Sequence, residues 1–441
     1  MRNQNIKLDK FIKIKDALSL IKDGDNIVTG MAAMEAKAIL GELHTIADKV
    51  KNVMVTTCLS MTGQEYYMNK DYKKSFSVEG WFYNSSMRKA NKNGNVSFIP
   101  NHLHLAAIKR LTNKKVNMYI GSASIPDKHG YISLSLSNVY EKRMIESADL
   151  VILEINPNMP RTFGDVEMHV SEIDYMVEVD YEISELLDSP SNEKDLIIGK
   201  LIAGKINDGD CIQLGIGGIP NAVTVSLLDK KDLGIHTEMF TNGMMNLIKA
   251  GVVTGKSKNF NKGKHVAAFA LGSKELYEFL DDNTSVMIMD GHWTNDPYII
   301  GENDNQVSIN TTIEIDLFGQ CASESIGYVQ FSGTGGQADT AIGAQRSKNG
   351  RSFIALYSTA MVKNKFTDQR ERISKIVPFL KQGAAVSLSR NDVDYVVTEY
   401  GIASLRGTSI RERTEKLIKI AHPDFRDELY KKALEMELID S

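Results

Sequence analysis

The sequence is poor in cysteine, in long apolar runs and in excess charge of either sign. Its three cysteines, Cys58, Cys211 and Cys321, lie far apart and lack the spacing of a zinc site or a disulfide framework. No apolar run approaches the ~20 residues of a membrane span, and no apolar core follows the charged first residues, so we expect neither a membrane protein nor a secretory signal. A formal net charge of -4 gives no support to nucleic-acid binding. We expect a reduced, cytoplasmic protein.

The nine histidines form no His-Glu-x-x-His motif, and only His102 and His104 stand two residues apart. On a strand these two side chains would share a face, but a metal ion would still lack further ligands. We therefore predict no metal site.

What is present is the composition of a soluble globular protein, with 42% hydrophobic and 24% charged residues. A chain of 441 residues is too long for one ordinary hydrophobic core, so we expect more than one domain. The run Leu-Asp-Ser-Pro-Ser-Asn-Glu-Lys at residues 187–194 interrupts any regular element. We therefore divide the chain into domains 1–190 and 191–441.

An internal repeat indicates that the two halves share a topology. Ile21–Gly30 and Ile206–Gly215 both pass from a helical stretch through Asp-Gly-Asp into a short apolar strand that ends in glycine. A second similarity relates Ala148–Glu154 to Val393–Glu399. These segments are typical of buried parallel strands. The predicted fold is α/β, with two similar open domains.

Only the second copy of the repeat continues into a glycine-rich turn, Gln213–Val223. Apolar residues precede the glycines and Pro220 stands where a helix would begin, so we predict a strand, a tight turn and a helix whose first N–H groups are free to bind an anion. The first copy has Met31–Glu35 at this place, without the glycines. We expect a pyrophosphate or thioester to bind in the second half, and the first half to form a cleft wall.

A lone carboxylate, Glu238, stands fifteen residues beyond the end of this turn, after a second short apolar stretch. If the two stretches are neighbouring parallel strands, the turn and the carboxylate meet at one rim of the sheet. A second glycine-rich loop, Phe331–Asp339, can aim backbone N–H groups at a developing oxyanion, and Asn295 offers an amide donor. The combination predicts an enzyme site.

Plainer interpretations stay open at this point. Glycine-rich turns also serve as packing devices, and a glutamate at a strand end is commonly a solvated surface group. The pattern Gly215-x-Gly217-x-x-Pro220, with an acid 23 residues beyond its first glycine, has features of a dinucleotide-binding fingerprint. However, Pro220 replaces the third glycine, which that fingerprint needs for close packing of helix on strand.

Several segments together resemble the class I CoA-transferases of the acetyl-CoA hydrolase/transferase family, and in particular its 4-hydroxybutyrate and butyrate–acetate CoA-transferases. The segments that carry the resemblance are spread over nearly the whole chain: Gly164–Asp174, Gly215–Val223, Leu233–Met239, Ser332–Gln337, Val396–Gly401 and Ile420–Arg426.

This resemblance implies two similar open α/β domains and an enzyme that transfers CoA between a short-chain acyl-CoA (butyryl-, 4-hydroxybutyryl- or propionyl-CoA) and acetate. It implies that Glu238 becomes a glutamyl-CoA thioester, and that the N–H groups of Ile216 and Gly336 are the oxyanion donors. The residues expected to contact CoA or the substrate are Gln213, Gly215, Ile216, Gly217, Gly218, Ile219, Asn295, Gly335 and Gly336. CoA is then a substrate rather than a permanent cofactor, the partners are an acyl-CoA and a short-chain carboxylic acid, and a homodimer or homotetramer is expected.

Some questions are left open by the resemblance. Members of the family often carry a lysine shortly after a Ser/Thr-Ala pair, but here Met361 follows Thr359-Ala360, and Lys363 and Lys365 are displaced. An acyl-CoA hydrolase using the same Glu238, differing only in access of water, is an alternative, and a non-catalytic acyl-CoA- or nucleotide-binding module is another. We expect the acyl pocket walls at residues 31–35, 58–62 and 81–88.

Overall fold

The structure is a computed structural model that describes residues 10–363 and 368–440. Each half is built around one large, mainly parallel sheet. The strands of the first half are β1 (Asn26–Thr29), β2 (Val53–Thr57), β3 (Phe76–Gly80), β4 (Val96–Phe98), β5 (Val116–Ala123), β6 (Tyr131–Ser133), β7 (Ala148–Ile155), β8 (Phe163–Gly164), β9 (Glu167–His169) and β10 (Tyr175–Glu178). Its helices are α1 (Ile14–Ser19), α2 (Lys37–Glu42), α3 (Glu65–Met68), α4 (Ser85–Ala90), α5 (Ala106–Asn113) and α6 (Glu141–Ser147).

The second half repeats this alternation of strands and helices and adds short hairpins. Its strands are β11 (Cys211–Leu214), β12 (Gly234–Phe240), β13 (His265–Ala270), β14 (Val286–Ile288), β15 (Gln306–Thr311), β16 (Glu314–Asp316), β17 (Cys321–Ala322), β18 (Ser325–Ile326), β19 (Val329–Gln330), β20 (Arg351–Ala355), β21 (Thr359–Lys363), β22 (Arg370–Ser374), β23 (Ile376–Val377), β24 (Tyr395–Thr398) and β25 (Gly401–Ser404). Its helices are α7 (Glu193–Ala203), α8 (Gly218–Val225), α9 (Asn242–Lys249), α10 (Lys274–Leu280), α11 (Gly291–Thr294), α12 (Pro297–Gly301), α13 (Gln337–Arg346), α14 (Ile410–Ile420) and α15 (Pro423–Glu435).

The two large sheets have equivalent strand orders around the repeated strands β1 and β11. The first sheet runs β10-β7-β5-β1-β2-β3-β4, and all its pairs are parallel. The second runs β25-β24-β20-β15-β11-β12-β13-β14-β8, with only the edge strand β25 antiparallel. In each sheet the repeated strand has three parallel neighbours on either side before any extra edge strand. The prediction of two similar open α/β domains is confirmed by this arrangement.

The second sequence similarity, by contrast, does not relate equivalent strands. Counting outward from the repeated strand, β7 is the second strand of its sheet, whereas β24 is the third of the other. The positional equivalent of β7 is β20. A buried parallel strand needs an apolar run wherever it lies in the sheet, so the likeness of β7 and β24 reflects their burial and not a shared position.

The two halves are joined by more than the connecting chain. The first-half strand β8 pairs with β14 at the edge of the second sheet, and Ser137 bridges Phe269. The largest hydrophobic cluster contains residues of both halves, among them Trp81, Tyr140 and Met239. The run 187–194 follows β10, but its last two residues, Glu193 and Lys194, already belong to α7. The predicted domain boundary after residue 190 lies between these two elements and stays a prediction. Within the described ranges, no helix is both long and apolar enough to cross a membrane.

Candidate active site

Glu238 lies on β12, beside the glycine-rich turn that follows β11. The two strands pair in parallel with Cys211 opposite Gly234, so continuing the register places Gly215 level with Glu238. Strand β12 runs on to Phe240, so the carboxylate stands two residues before the strand end rather than at it. The turn and the carboxylate therefore meet at the same rim of the sheet.

The helix that follows the turn begins earlier than Pro220 suggests. Helix α8 starts at Gly218 and has Pro220 as its third residue, while Gly217 precedes the helix with a φ of 113°. Residues with a side chain rarely adopt that backbone conformation, so the turn requires glycine there. A Cβ at Gly218 would collide with the carboxylate of Asp195 on α7. One glycine thus supplies the backbone bend and the next allows close packing of two helices.

The rim opens into a cavity of about 240 Å³ between the two halves. Glu238, Gly215, Ile216 and Gly336 line it from the second half. All three first-half segments that we expected as pocket walls contribute to the lining, through Met31, Cys58, Leu59, Trp81 and Phe82. The carboxylate of Glu238 therefore faces a partly open cavity between the two halves.

Two donors hold the half-buried carboxylate of Glu238. The amide Nδ2 of Asn295 donates to Oε2 at 3.0 Å, and the backbone N–H of Gly336 donates to the same carboxylate. Asn295 is fully buried, and a Cβ at position 336 would overlap both the carboxylate and the amide. Two residues expected to bind CoA thus contact the carboxylate of Glu238 directly.

The surroundings of Glu238 change its acidity. Burial is the largest effect and, together with the nearby charge of Asp339, raises the pKa of Glu238 to about 7. The hydrogen bonds from Asn295 and Gly336 act in the opposite direction, because they stabilise the charged form. A carboxylate with a pKa near neutrality is more basic than an ordinary glutamate and still ionises at physiological pH, which suits a nucleophile.

This pKa predicts a pH profile. If the ionised Glu238 is the attacking group, log kcat/KM for acyl-CoA should rise with pH, bend near pH 7 and be flat above that bend. Initial rates between pH 5.5 and 8.5 measure the profile. In Asn295→Ala, which loses a donor to the carboxylate, the bend should move to higher pH. A bend below pH 5 would contradict the assignment.

Asn295 directly follows α11, a single helical turn held in part by β12. His236, two residues before Glu238 on that strand, donates from Nε2 to the carbonyl oxygen of Thr294 at 2.8 Å. Burial lowers the pKa of His236 to about 3, so the ring stays neutral. The strand that carries Glu238 therefore also fixes the backbone next to Asn295, whose amide donates to the Glu238 carboxylate.

The first half holds the same turn from the other side. His292 Nδ1 donates to the carbonyl oxygen of His104 at 2.7 Å. Arg143 Nε donates to Asp290 Oδ2 at 2.8 Å, and the Asp290 N–H donates to Asp165 at 3.0 Å. These residues lie far apart in the sequence and belong to no recognisable motif, so sequence reasoning missed them.

The loop that carries Gly336 is also held by the first half. Asp339, on α13, accepts from His104 Nδ1 at 2.8 Å and from its backbone N–H at 3.1 Å. A Cβ at Gly333 would overlap the carbonyl oxygen of Trp81. His104 lies in a one-turn 3₁₀ helix rather than on a strand, but its ring still stacks on that of His102, with centroids 6.2 Å apart, and both rings face Asp339. The first half thus orients both donors of Glu238, beyond its expected role as a cleft wall.

The contact between His236 and Thr294 predicts that substitution of His236 lowers activity indirectly, through Asn295. His236→Ala should lower kcat roughly 10–100-fold, as for other partners that orient a reacting group, and raise the pH of the bend because Asn295 is no longer held. His236→Gln should recover part of the rate, since its amide can donate to the same carbonyl. Initial rates and pH profiles are the readout, with the exposed His129→Ala as control. If Asn295 mediates the effect, His236→Ala should add little in an Asn295→Ala background; full additivity would contradict this.

The remaining predicted site residues have mixed placements. Gln213 lines the cavity, and its Oε1 accepts from Ser308 Oγ at 3.0 Å and from the Ile309 N–H at 3.2 Å, which ties β11 to β15. Gly335 also lines the cavity, whereas Ile219 is buried within α8.

The structure describes one of the two displaced lysines. Lys363 Nζ pairs with Asp368 at 2.5 Å, and Lys365 lies outside the described residues. In residues 10–363 and 368–440, no group of three or more His, Cys, Asp or Glu side chains is placed to hold a metal ion.

Comparison with known proteins decides the family. Residues 2–188 match the acetyl-CoA hydrolase/transferase N-terminal domain, and residues 272–433 match the C-terminal domain of the same family. Succinyl-CoA:cyclohexane-1-carboxylate CoA transferase of Geobacter metallireducens is 40% identical, over 96% of this chain and 95% of that protein. The 4-hydroxybutyrate coenzyme A transferase of Clostridium kluyveri is also 40% identical, over 97% and 98%. The chain belongs to the acetyl-CoA hydrolase/transferase family.

Membership of the acetyl-CoA hydrolase/transferase family confirms the resemblance seen in the sequence, and the expectation of a CoA-transferase enzyme with it. The fold agrees. The crystal structure of 4-hydroxybutyrate CoA-transferase from Porphyromonas gingivalis superimposes with a TM-score of 0.81 at 35% identity, covering 97% of this chain and 98% of that one. The expected class I CoA-transferase fold is therefore confirmed.

Proposed function

We propose that this enzyme transfers CoA between a short-chain acyl-CoA (butyryl-, 4-hydroxybutyryl- or propionyl-CoA) and acetate, through a glutamyl-CoA thioester on Glu238. The observation that carries the proposal is the place of Glu238, which faces a cavity between the halves and is held by Asn295 and the Gly336 N–H. The name of the Clostridium kluyveri relative, a 4-hydroxybutyrate coenzyme A transferase, supports the substrate class.

The reaction proceeds in two stages, and the atoms balance in each. The Glu238 carboxylate attacks the thioester carbonyl carbon, and the C–S bond breaks. The products are CoA thiolate and a mixed anhydride of Glu238 with the acyl group. The thiolate then attacks the Glu238 carbonyl carbon, the anhydride C–O bond breaks, and the first acid leaves as its carboxylate. Acetate attacks the resulting glutamyl-CoA, and the released thiolate attacks the acetyl carbonyl to give acetyl-CoA and free Glu238. No water is consumed, and the kinetics are ping-pong.

Each attack places negative charge on a carbonyl oxygen. The N–H groups of Ile216 and Gly336 are the proposed oxyanion donors, and loss of one such donor typically costs about 2.7–4 kcal/mol. The glycine turn Gly215–Ile219, with Gln213, Asn295 and Gly335, would bind CoA, whose long tail supplies binding energy expressed at the reacting centre. The position of Glu238 in a cavity between the halves would limit the access of water to the anhydride and the thioester.

The proposal is tested by trapping the intermediate. The protein is mixed with acetyl-CoA or butyryl-CoA, treated with borohydride, and mapped by peptide mass. Borohydride reduces a glutamyl thioester to an alcohol, so the peptide containing Glu238 should lose mass, and the same peptide from Glu238→Gln should not. Full turnover with an unmodified Glu238 would contradict the covalent mechanism.

A hydrolase acting through the same Glu238 is the second candidate, because the family matched by both domains includes hydrolases. Release of free CoA without any added acid would favour the hydrolase, whereas a strict requirement for acetate or another acid would favour transfer. The homo-oligomeric state and the cytoplasmic location stay predictions.

A further inference from the structure

We propose that the cavity selects acyl groups whose chain carries no charge and rejects dicarboxylic acyl groups such as succinyl. This inference rests on the proposed function, since it places the acyl group in the cavity that Glu238 lines. It concerns which acyl-CoA is used, and the transfer chemistry is the same for all of them.

Among the residues that the structure describes, none that lines the cavity offers a counter-ion to a second carboxylate. Among its residues in the described part of the chain, Glu238 is the only one with a charged side chain, and none is Lys, Arg or His. One part of the wall is apolar and aromatic: Met31, Trp81, Tyr140 and Phe269 are each at most 5% exposed. The rings of Trp81 and Tyr140 lie 4.8 Å apart, and the Tyr140 hydroxyl donates to the Thr29 carbonyl at 2.9 Å. That hydroxyl is therefore already engaged.

Two buried carboxylates stand behind this wall. Glu141 accepts from the N–H groups of Met31 at 2.9 Å and Tyr140 at 3.0 Å. Glu35 accepts from the Ser60 hydroxyl at 2.7 Å, beside the Cys58–Leu59 part of the lining. Burial, with smaller effects of the charges of Glu141 and Glu238, raises the pKa of the Cys58 thiol well above its usual value, so this group brings no positive charge to the cavity. The titratable groups that face the cavity from both halves, Cys58, Tyr140 and Glu238, supply no positive charge.

An ionised succinyl chain would therefore leave water without gaining a positively charged partner. An unpaired buried charge is costly, and a carboxyl group in such a place binds a proton instead. With an ordinary carboxyl pKa near 4.3, only about one succinyl group in 10³ is protonated at pH 7.5, which sets the upper limit of discrimination. An uncharged chain of the same size meets no such penalty.

The test uses the unaltered enzyme and two acyl-CoA substrates of equal size. In 4-oxopentanoyl-CoA a methyl group replaces one terminal oxygen of succinyl-CoA, so the acyl groups have the same number of non-hydrogen atoms and differ in charge. We expect kcat/KM for succinyl-CoA to be about 10²–10³-fold lower at pH 7.5. The ratio of kcat/KM for 4-oxopentanoyl-CoA to kcat/KM for succinyl-CoA should decrease about tenfold for each pH unit down to 5.5, because protonation of the succinyl carboxyl removes its charge. The titration of Glu238 affects both substrates and cancels in the ratio.

The outcomes separate this inference from the proposed function. Equal kcat/KM values, or a ratio independent of pH, would overturn the selection by charge while leaving transfer through Glu238 in place. If neither substrate nor butyryl-CoA is turned over or modifies Glu238, the proposed function fails and the inference fails with it.

Discussion

Glu238→Gln should abolish CoA transfer, with kcat lower by about 10⁴-fold or more, as expected for removal of a covalent nucleophile. The amide has nearly the shape of the carboxylate but cannot form the anhydride or the thioester. The measurement is exchange of CoA between butyryl-CoA and acetate, with the exposed Glu302→Gln as a control that should keep full activity. Substantial transfer by Glu238→Gln would assign the nucleophile to another group.

The same substitution should stabilise the fold at high pH, which shows that any loss of activity is not a loss of structure. The folded-state pKa of Glu238, about 7, exceeds the ordinary value of 4.5. The stability that this group contributes is therefore complete below pH 4.5 and is lost as pH rises through 7. A neutral glutamine escapes this loss, so Tm of the variant should exceed that of the parent at pH 8, and the difference should shrink toward pH 5.

Gly336→Ala should lower kcat by about 10³-fold, because the new methyl group occupies the place of the Glu238 carboxylate and the Asn295 amide. The backbone at Gly336 has φ -99° and ψ 14°, which alanine adopts without strain, so the fold should be retained. The damage is local because the methyl group forces the nucleophile out of reach of both donors.

The matched control for this substitution is Gly204→Ala, at the end of α7. Its φ is -64°, and the nearest atom to an added Cβ there is 3.4 Å away. Both variants are compared by circular dichroism and by kcat. A Gly336→Ala enzyme with parental kcat would mean that Glu238 does not react from the position described.

Sequence reasoning anticipated those parts of the site that each lie within one short segment of the chain. The repeat placed β1 and β11 in equivalent positions, and the glycine turn followed by Glu238 predicted the rim of the sheet at which the cavity lies. The second similarity, between Ala148–Glu154 and Val393–Glu399, was misleading. An apolar run indicates that a strand is buried, and it does not indicate the position of that strand in the sheet. The contact of His104 with Asp339 joins residues 235 positions apart, and no local pattern predicts such a pair. The hydrogen bonds of Arg143 and Asp165 with Asp290 likewise join residues far apart in the sequence, and no local pattern predicts them.

The way the two donors of Glu238 are supported has a consequence for motion during turnover. Asn295 and Gly336 belong to the second half, but the turn before one and the helix after the other are fastened to His104 of the first half. A hinge-like separation of the halves would pull on both attachments and release the carboxylate from its donors. The halves should therefore move as one body through the catalytic cycle, with substrates entering and leaving through the mouth of the cavity.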